Sequence, residues 1–122
     1  MKLTFSKEEL EEYRERYANG QTVVGYSQKE RWLRGRLPTY YVLVIGQERL
    51  TLIQQDWKLV EQGVTQLNLT DIQTIKISKF LLLHRVTIQT SSQTFKLRIL
   101  PLNLVLGDYQ KALVARLKKL VK

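Results

Sequence analysis

Arg85-Val86-Thr87-Ile88-Gln89-Thr90-Ser91-Ser92-Gln93-Thr94-Phe95-Lys96-Leu97-Arg98-Ile99 is the stretch that decides the fold. Val86 and Ile88, then Phe95, Leu97 and Ile99, alternate with Arg85, Thr87, Gln89, Thr94, Lys96 and Arg98. Successive side chains of a strand point to opposite faces, so this period of two gives one apolar face and one polar, basic face. Ser91-Ser92-Gln93 breaks the pattern with the polar residues of a hairpin turn. Two antiparallel strands follow, Arg85–Thr90 and Thr94–Ile99, and their apolar face needs a cover.

The same reading extends toward the N-terminus. Thr22–Trp32 is a strand with a bend expected at Gly25, and Leu33–Pro38 is a connection punctuated by Gly35 and Pro38. Thr39–Ile45 is β-branched and aromatic, as suits a central strand. Gly46–Glu48 turns the chain into Arg49–Gln55. Lys58–Gln66, weakened by Gly63, and Ile72–Lys79 complete seven strands. Short turns between most of them predict a mainly β, meandering antiparallel barrel or sandwich.

Helices flank the strands. Ser6-Lys7-Glu8-Glu9 is a capping box, and Phe5 and Leu10 occupy the positions of a hydrophobic staple. Leu10, Tyr13, Tyr17 and Ala18 follow the 3.6 period, and Asn19-Gly20 is a stop signal. This predicts an amphipathic helix over Ser6–Ala18, placing an N-terminal helical unit at 1–20 before a β domain at 21–122. At the other end Asp108 is the expected N-cap of a closing helix. Tyr109, Leu113, Leu117, Leu120 and Val121 form its apolar stripe.

Composition narrows the function. In 122 residues, Lys plus Arg is 20 and Asp plus Glu is 11, an excess of +9. With no Cys there is no disulfide framework, thiolate nucleophile or Cys-bound metal. One His excludes a multi-histidine metal site. No dinucleotide, P-loop, nucleophile-elbow or zincin motif occurs. Outside the first helix the acids Glu30, Glu48, Asp56, Glu61, Asp71 and Asp108 fall mostly at turns and caps. The expectation is a non-enzymatic binding protein without metal, cofactor or small-molecule substrate. Met1 to Glu15 is charged and lacks the apolar segment of a secretory leader. The longest apolar runs, Tyr40–Ile45 and Phe80–Leu83, fall far short of the ~20 residues that span a bilayer. A cytoplasmic location follows as an expectation, with peripheral recruitment to the inner face of the membrane.

Seven strands closed by one amphipathic C-terminal helix is the element order of a pleckstrin-homology (PH) fold. The segment from Tyr40 to Ile53 resembles the strand–turn–Glu-Arg-Leu–strand signature of bacterial PH-like domains, with Glu48-Arg49-Leu50 at its centre. Leu67 to Ile77 is similar to the family's lead into its fifth strand, through Leu69, Asp71, Ile72 and Ile75. The resemblance covers roughly residues 20–121 and implies a seven-stranded antiparallel barrel or sandwich closed by the last helix. The helix at 1–20 is additional to it.

Lys29-Glu30-Arg31-Trp32-Leu33-Arg34-Gly35-Arg36 holds four cations at the first strand connection. Lipid-binding PH domains hold phosphates there with a Lys, a spacer, then a basic residue two before an Arg, and Lys29, Arg34 and Arg36 satisfy that pattern. Arg31 adds a further donor, Arg binds phosphate through two parallel N–H groups, and Trp32 suits an interface. Lys76, Lys96 and Arg98, with Lys79 and Arg85, form an expected outer basic face for anionic lipid, nucleic acid or an acidic protein. Lysines there also serve as ordinary edge protection. Phe80, Leu81, Leu82 and Leu83 are apolar where a polar turn is expected, which makes them, with the first helix, the candidates for contact with lipid, a partner protein or a second copy.

The competing reading is a small basic barrel that binds nucleic acid, with Trp32, Tyr40 and Tyr41 as a stacking platform. No helix-turn-helix, ribonucleoprotein or zinc pattern supports it. Residues 1–16 carry four cations and five acids, a net −1, and residues 17–122 carry sixteen cations and six acids, a net +10. The excess therefore belongs to the strands and the last helix.

Overall fold

The computed structural model of the chain describes residues 5–29, 37–100 and 105–121, with the side chain of Phe80 outside that description. A first helix α1 (Lys7–Arg16) precedes seven strands, and a helix α2 (Gly107–Lys119) follows them. The strands are β1 (Val23–Lys29), β2 (Tyr40–Ile45), β3 (Arg49–Gln55), β4 (Glu61–Asn68), β5 (Ile72–Phe80), β6 (Leu83–Thr90) and β7 (Thr94–Ile99). All pair antiparallel in one sheet of order β4-β3-β2-β1-β7-β6-β5.

The sheet is open, and here the expectation of a closed barrel or sandwich is corrected. β4 and β5 end the order, and no strand among the described residues joins them. Curvature still brings the two halves together around one core. Leu43, Ile45, Leu50 and Leu52 from β2 and β3 share a buried cluster with Ile75, Val86, Ile88, Leu97 and Ile99 from β5–β7. Leu113, Val114 and Leu117 of α2 fill that interior.

A second cluster lies on the other face of β1–β3. Val24, Val42, Val44 and Ile53 are covered there by Phe5, Leu10, Leu59 and Leu106. β2 is buried on both faces, which is why Tyr40–Ile45 reads as an unbroken apolar run instead of an alternation. The capping box forms, with the Glu9 N–H donating to Ser6 Oγ at 3.2 Å and the Ser6 N–H donating to Glu9 Oε1 at 3.1 Å. Asn19 secures the helix exit, because its Oδ1 accepts from the N–H groups of Glu48 and Arg49, each at 3.0 Å. It lies so close to Gly46 that a Cβ there would overlap its amide. Thus α1 is a structural layer of the sheet.

The bend depends on Gly25 and Gln110. β1 pairs with β2 from Val23 to Gln28 but meets β7 only at Gln28 and Lys29. Where β7 parts from β1, the buried Gln110 side chain takes the place of a neighbouring strand. The Tyr26 N–H donates to Gln110 Oε1 at 2.9 Å, and Gln110 Nε2 donates to the carbonyls of Tyr26 at 2.9 Å and Leu100 at 3.2 Å. A Cβ at Gly25 would lie 2.7 Å from Leu113 Cδ2 and 2.9 Å from Gln110 Oε1. Only glycine lets α2 approach this closely.

Several boundaries differ from expectation. β1 starts one residue later than expected and is described to Lys29, and Lys58 belongs to the turn before β4. Asp108 is not the N-cap of α2. Leu106 occupies that position without a side-chain hydrogen bond, and Asp108 sits in the first turn, where its charge favours the helix dipole. Leu106 is completely buried, so packing outweighs capping chemistry here. Val121 is exposed instead of completing the apolar stripe.

Gln110→Leu should lower unfolding stability by about 2–4 kcal/mol, because buried backbone groups lose their partner. Leu117→Ala should cost about 2–5 kcal/mol through the cavity it leaves. Urea unfolding of the purified variants measures both, and a wild-type midpoint for Gln110→Leu would contradict the bridging role.

Candidate functional site

The fold separates charge by side. On α1, Glu11 pairs with Arg14 at 3.4 Å and accepts from the Tyr109 hydroxyl at 2.7 Å. Arg16 reaches Glu12 at 3.5 Å and Glu61 at 3.8 Å. The acidic helix is thus tied to α2 and β4 over one half of the sheet. The other half, β5–β7, carries no acid at all, since none occurs between Ile72 and Gly107.

The outer face of β5–β7 is a set of cross-strand rows. Lys76 lies opposite Thr87, and Thr87 lies opposite Lys96. Two strand spacings place Lys76 and Lys96 about 10 Å apart on one face. In the next row Arg85 lies directly opposite Arg98. Like charges in that position repel, and an anion set over the row would relieve the repulsion. Lys79 departs from the expected face. It pairs with His84, which pairs with the core residue Ile99, so alternation puts it on the opposite side.

Lys29 stands at a cleft of about 310 Å³ lined also by Tyr41, Gln93, Thr94, Phe95, Lys96 and Leu97. Lys29 comes to its mouth because β1 alternates Gly25, Ser27 and Lys29 on the inner face and ends there. Tyr41 and Phe95 pack edge to face, ring centres 6.1 Å apart, as its aromatic part. Burial raises the Tyr41 phenol above its ordinary pKa, so it stays a neutral hydroxyl at physiological pH. The cleft therefore places the Lys29 side chain beside aromatic carbon, while Lys96 borders it from β7 with its side chain turned to the outer face.

Of the other expected site residues, Arg31, Trp32, Arg34 and Arg36 lie outside the described residues, on the connection that leaves Lys29. Arg98 does not line the cleft beside Lys29. It is half-buried and lines a narrower hollow with Phe5, Tyr26, Gln28, Tyr40, Leu59 and Leu100. At the apolar turn, Phe80 closes β5, Leu83 opens β6, and Leu81 and Leu82 form the tip, 77% and 64% exposed. Leu81 has φ +56°, a left-handed conformation that leucine rarely adopts. His84 lies at the base of this hairpin within electrostatic reach of Lys79 and Lys118. The tip is thus an apolar knob above a basic collar.

Trp57 and Lys58 were not among the expected site residues. They form a cation–π pair, 5.0 Å from ammonium to ring centre, in the turn after β3. Gln55 faces Tyr40, so this turn stands at the same end of the sheet as the connection from Lys29. The signal was a Trp-Lys pair in a turn. Phe95, marked only as a core residue by its alternation, also borders the cleft. A larger hollow of about 520 Å³ lies between α2 and the start of β1, and its Arg116 is committed to the Gly46 carbonyl at 2.9 Å. Among the described residues no cluster of acids and histidine could hold a metal, and no helix is long and apolar enough to cross a membrane. Compared with known proteins, the chain matches no family model, no curated sequence and no solved structure.

Burial first, then Lys118 and Lys79, hold the His84 imidazole below its ordinary pKa. Its Nδ1 is buried without a hydrogen-bond partner. The unfolded chain takes up this proton at about pH 6.5 and the folded chain only at lower pH. His84 therefore costs stability as pH falls through that value. The wild type should lose more stability than His84→Gln between about pH 7.5 and 5.5. Urea midpoints at both pH values measure this, and parallel losses would contradict it.

Proposed function

We infer that the chain is a non-enzymatic, PH-like binding module that docks peripherally on an anionic membrane surface through its β5–β7 side. The observation that carries this reading is the acid-free half-sheet, with Lys76 and Lys96 in one exposed row and an apolar tip at Leu81 and Leu82. A cation near an anionic bilayer contributes about 1 kcal/mol, so several together give reversible recruitment. The two leucines add what charge alone lacks, a group that gains by leaving water. The cleft beside Lys29 is the place for a single phosphate-bearing headgroup, with Arg34 and Arg36 as further donors by the family pattern.

The PH-like assignment rests on element order and on the segments Tyr40–Ile53 and 67–77. A protein ligand of acidic character meets the same cations but gives the exposed leucines no role. Nucleic acid fits less well. Tyr41 is only 7% exposed and Tyr40 packs against Phe5, so neither offers an open ring for base stacking. The outward residues of β5–β7 from Thr74 to Arg98, Phe80 apart, are Thr, Ser, Gln, Lys, Arg and Leu, with no aromatic ring.

Vesicles of phosphatidylglycerol and phosphatidylcholine should sediment the protein at ~150 mM salt, and pure phosphatidylcholine vesicles should not. Lys76→Glu with Lys96→Glu should weaken binding at least about tenfold, given about 1 kcal/mol per cation. Leu81→Ser with Leu82→Ser should weaken it while leaving the unfolding midpoint unchanged. Equal binding to both vesicle types, or full binding by the charge-reversed variant, would overturn the assignment.

A further inference from the structure

The two edges of the sheet are built differently. β5 carries Lys76 and Lys79 along its length, and lysine on an edge discourages pairing with another chain. β4 carries no such guard. Its sequence after Glu61 is Gln-Gly-Val-Thr-Gln-Leu-Asn, without charge and without proline. It lies inside the longest cation-free stretch of the chain, the 17 residues from Leu59 to Ile75. Nothing among the described residues pairs with its outer side. Val64 is 42% exposed, and a Cβ at Gly63 would touch nothing within 4 Å.

We propose that β4 pairs antiparallel with β4 of a second copy, making one continuous sheet across a two-fold dimer. An edge strand presents a row of N–H and C=O groups ready for another strand. A second copy is the occupant that the charges favour. Two molecules of net +9 repel over most of their surfaces, but along β4 from Gln62 to Asn68 neither strand carries a charge, and Arg16 at its start is engaged with Glu61. An antiparallel strand is self-complementary about a two-fold axis, so the same residues serve both partners. Growth then stops at two, because both outer edges of the joined sheet are the lysine-bearing β5. Self-association was expected at α1 or at the 80–83 turn. Leu10 of α1 is buried on its own sheet and Tyr13 and Tyr17 pack beside it, whereas β4 is an open edge that offers a whole strand of backbone groups.

The inference does not depend on membrane binding and is tested without lipid. Light scattering should show a concentration-dependent dimer of the wild-type chain. Gln62→Lys with Gln66→Lys, two exposed positions, should abolish the dimer peak with an unchanged unfolding midpoint. Because the native chain has no Cys, single-cysteine variants at Val64, Thr65 and Gln66 report the pairing directly. At least one should oxidise to a covalent dimer, and Thr74→Cys on the β5 edge should not. A wild type that stays monomeric at the highest soluble concentration, or a dimer that persists with both lysines, overturns the proposal. Cross-linking through position 74 in place of β4 also overturns it.

Discussion

Gln110 does for β1 what a neighbouring strand does elsewhere in a sheet. Its carboxamide both accepts from and donates to the backbone of Tyr26, and it also holds the Leu100 carbonyl. Backbone polar groups withdrawn from water without a partner are costly, so a strand cannot part from its neighbour inside a core unless something takes up the freed groups. The Gln110 side chain, brought close by the absence of a Cβ at Gly25, lets β7 swing away from β1. That departure lets the two halves of the twisted sheet fold toward each other around Leu113 and Leu117.

The bend also sets the electrostatics. Once the sheet curves, its outer surface divides into two halves. α1 covers the half formed by β1–β3 and brings the acids of residues 8–15 with it. The half formed by β5–β7 is left bare, and its residues include no acid. That half contributes five cations and no acid to the net charge of +9, a local excess set opposite the acidic helix. On the proposed reading, a molecule polarised in this way would meet an anionic surface with α1 turned away.

Much of this was legible in the sequence. Alternation in Arg85–Ile99 placed both strands and both faces correctly, because each residue there obeys one simple rule. The capping box and staple were read from the six positions Phe5 to Leu10, since caps are local chemistry. What escaped was non-local. Asp108 has the right chemistry for an N-cap, but burial of Leu106 decides where the helix begins. Lys79 looks like a partner of Lys76, but an odd spacing of three puts the two on opposite faces. Gln110 has no local signature, since its role arises only when Tyr26, 84 residues earlier, is beside it. The site was legible as a set of cations and illegible as a geometry. Lys29 comes beside Phe95 and Leu97, far along the chain, only through the short β1–β7 pairing.

The most direct measurement is the relaxation of backbone amide signals by a paramagnetic lipid headgroup in bilayer discs containing phosphatidylglycerol. An orientation set by the bare half-sheet predicts strongest quenching at Leu81 and Leu82, clear quenching at Lys76 and Lys96, and none along Glu8–Glu15 of α1. Uniform quenching, or quenching centred on α1, would contradict it.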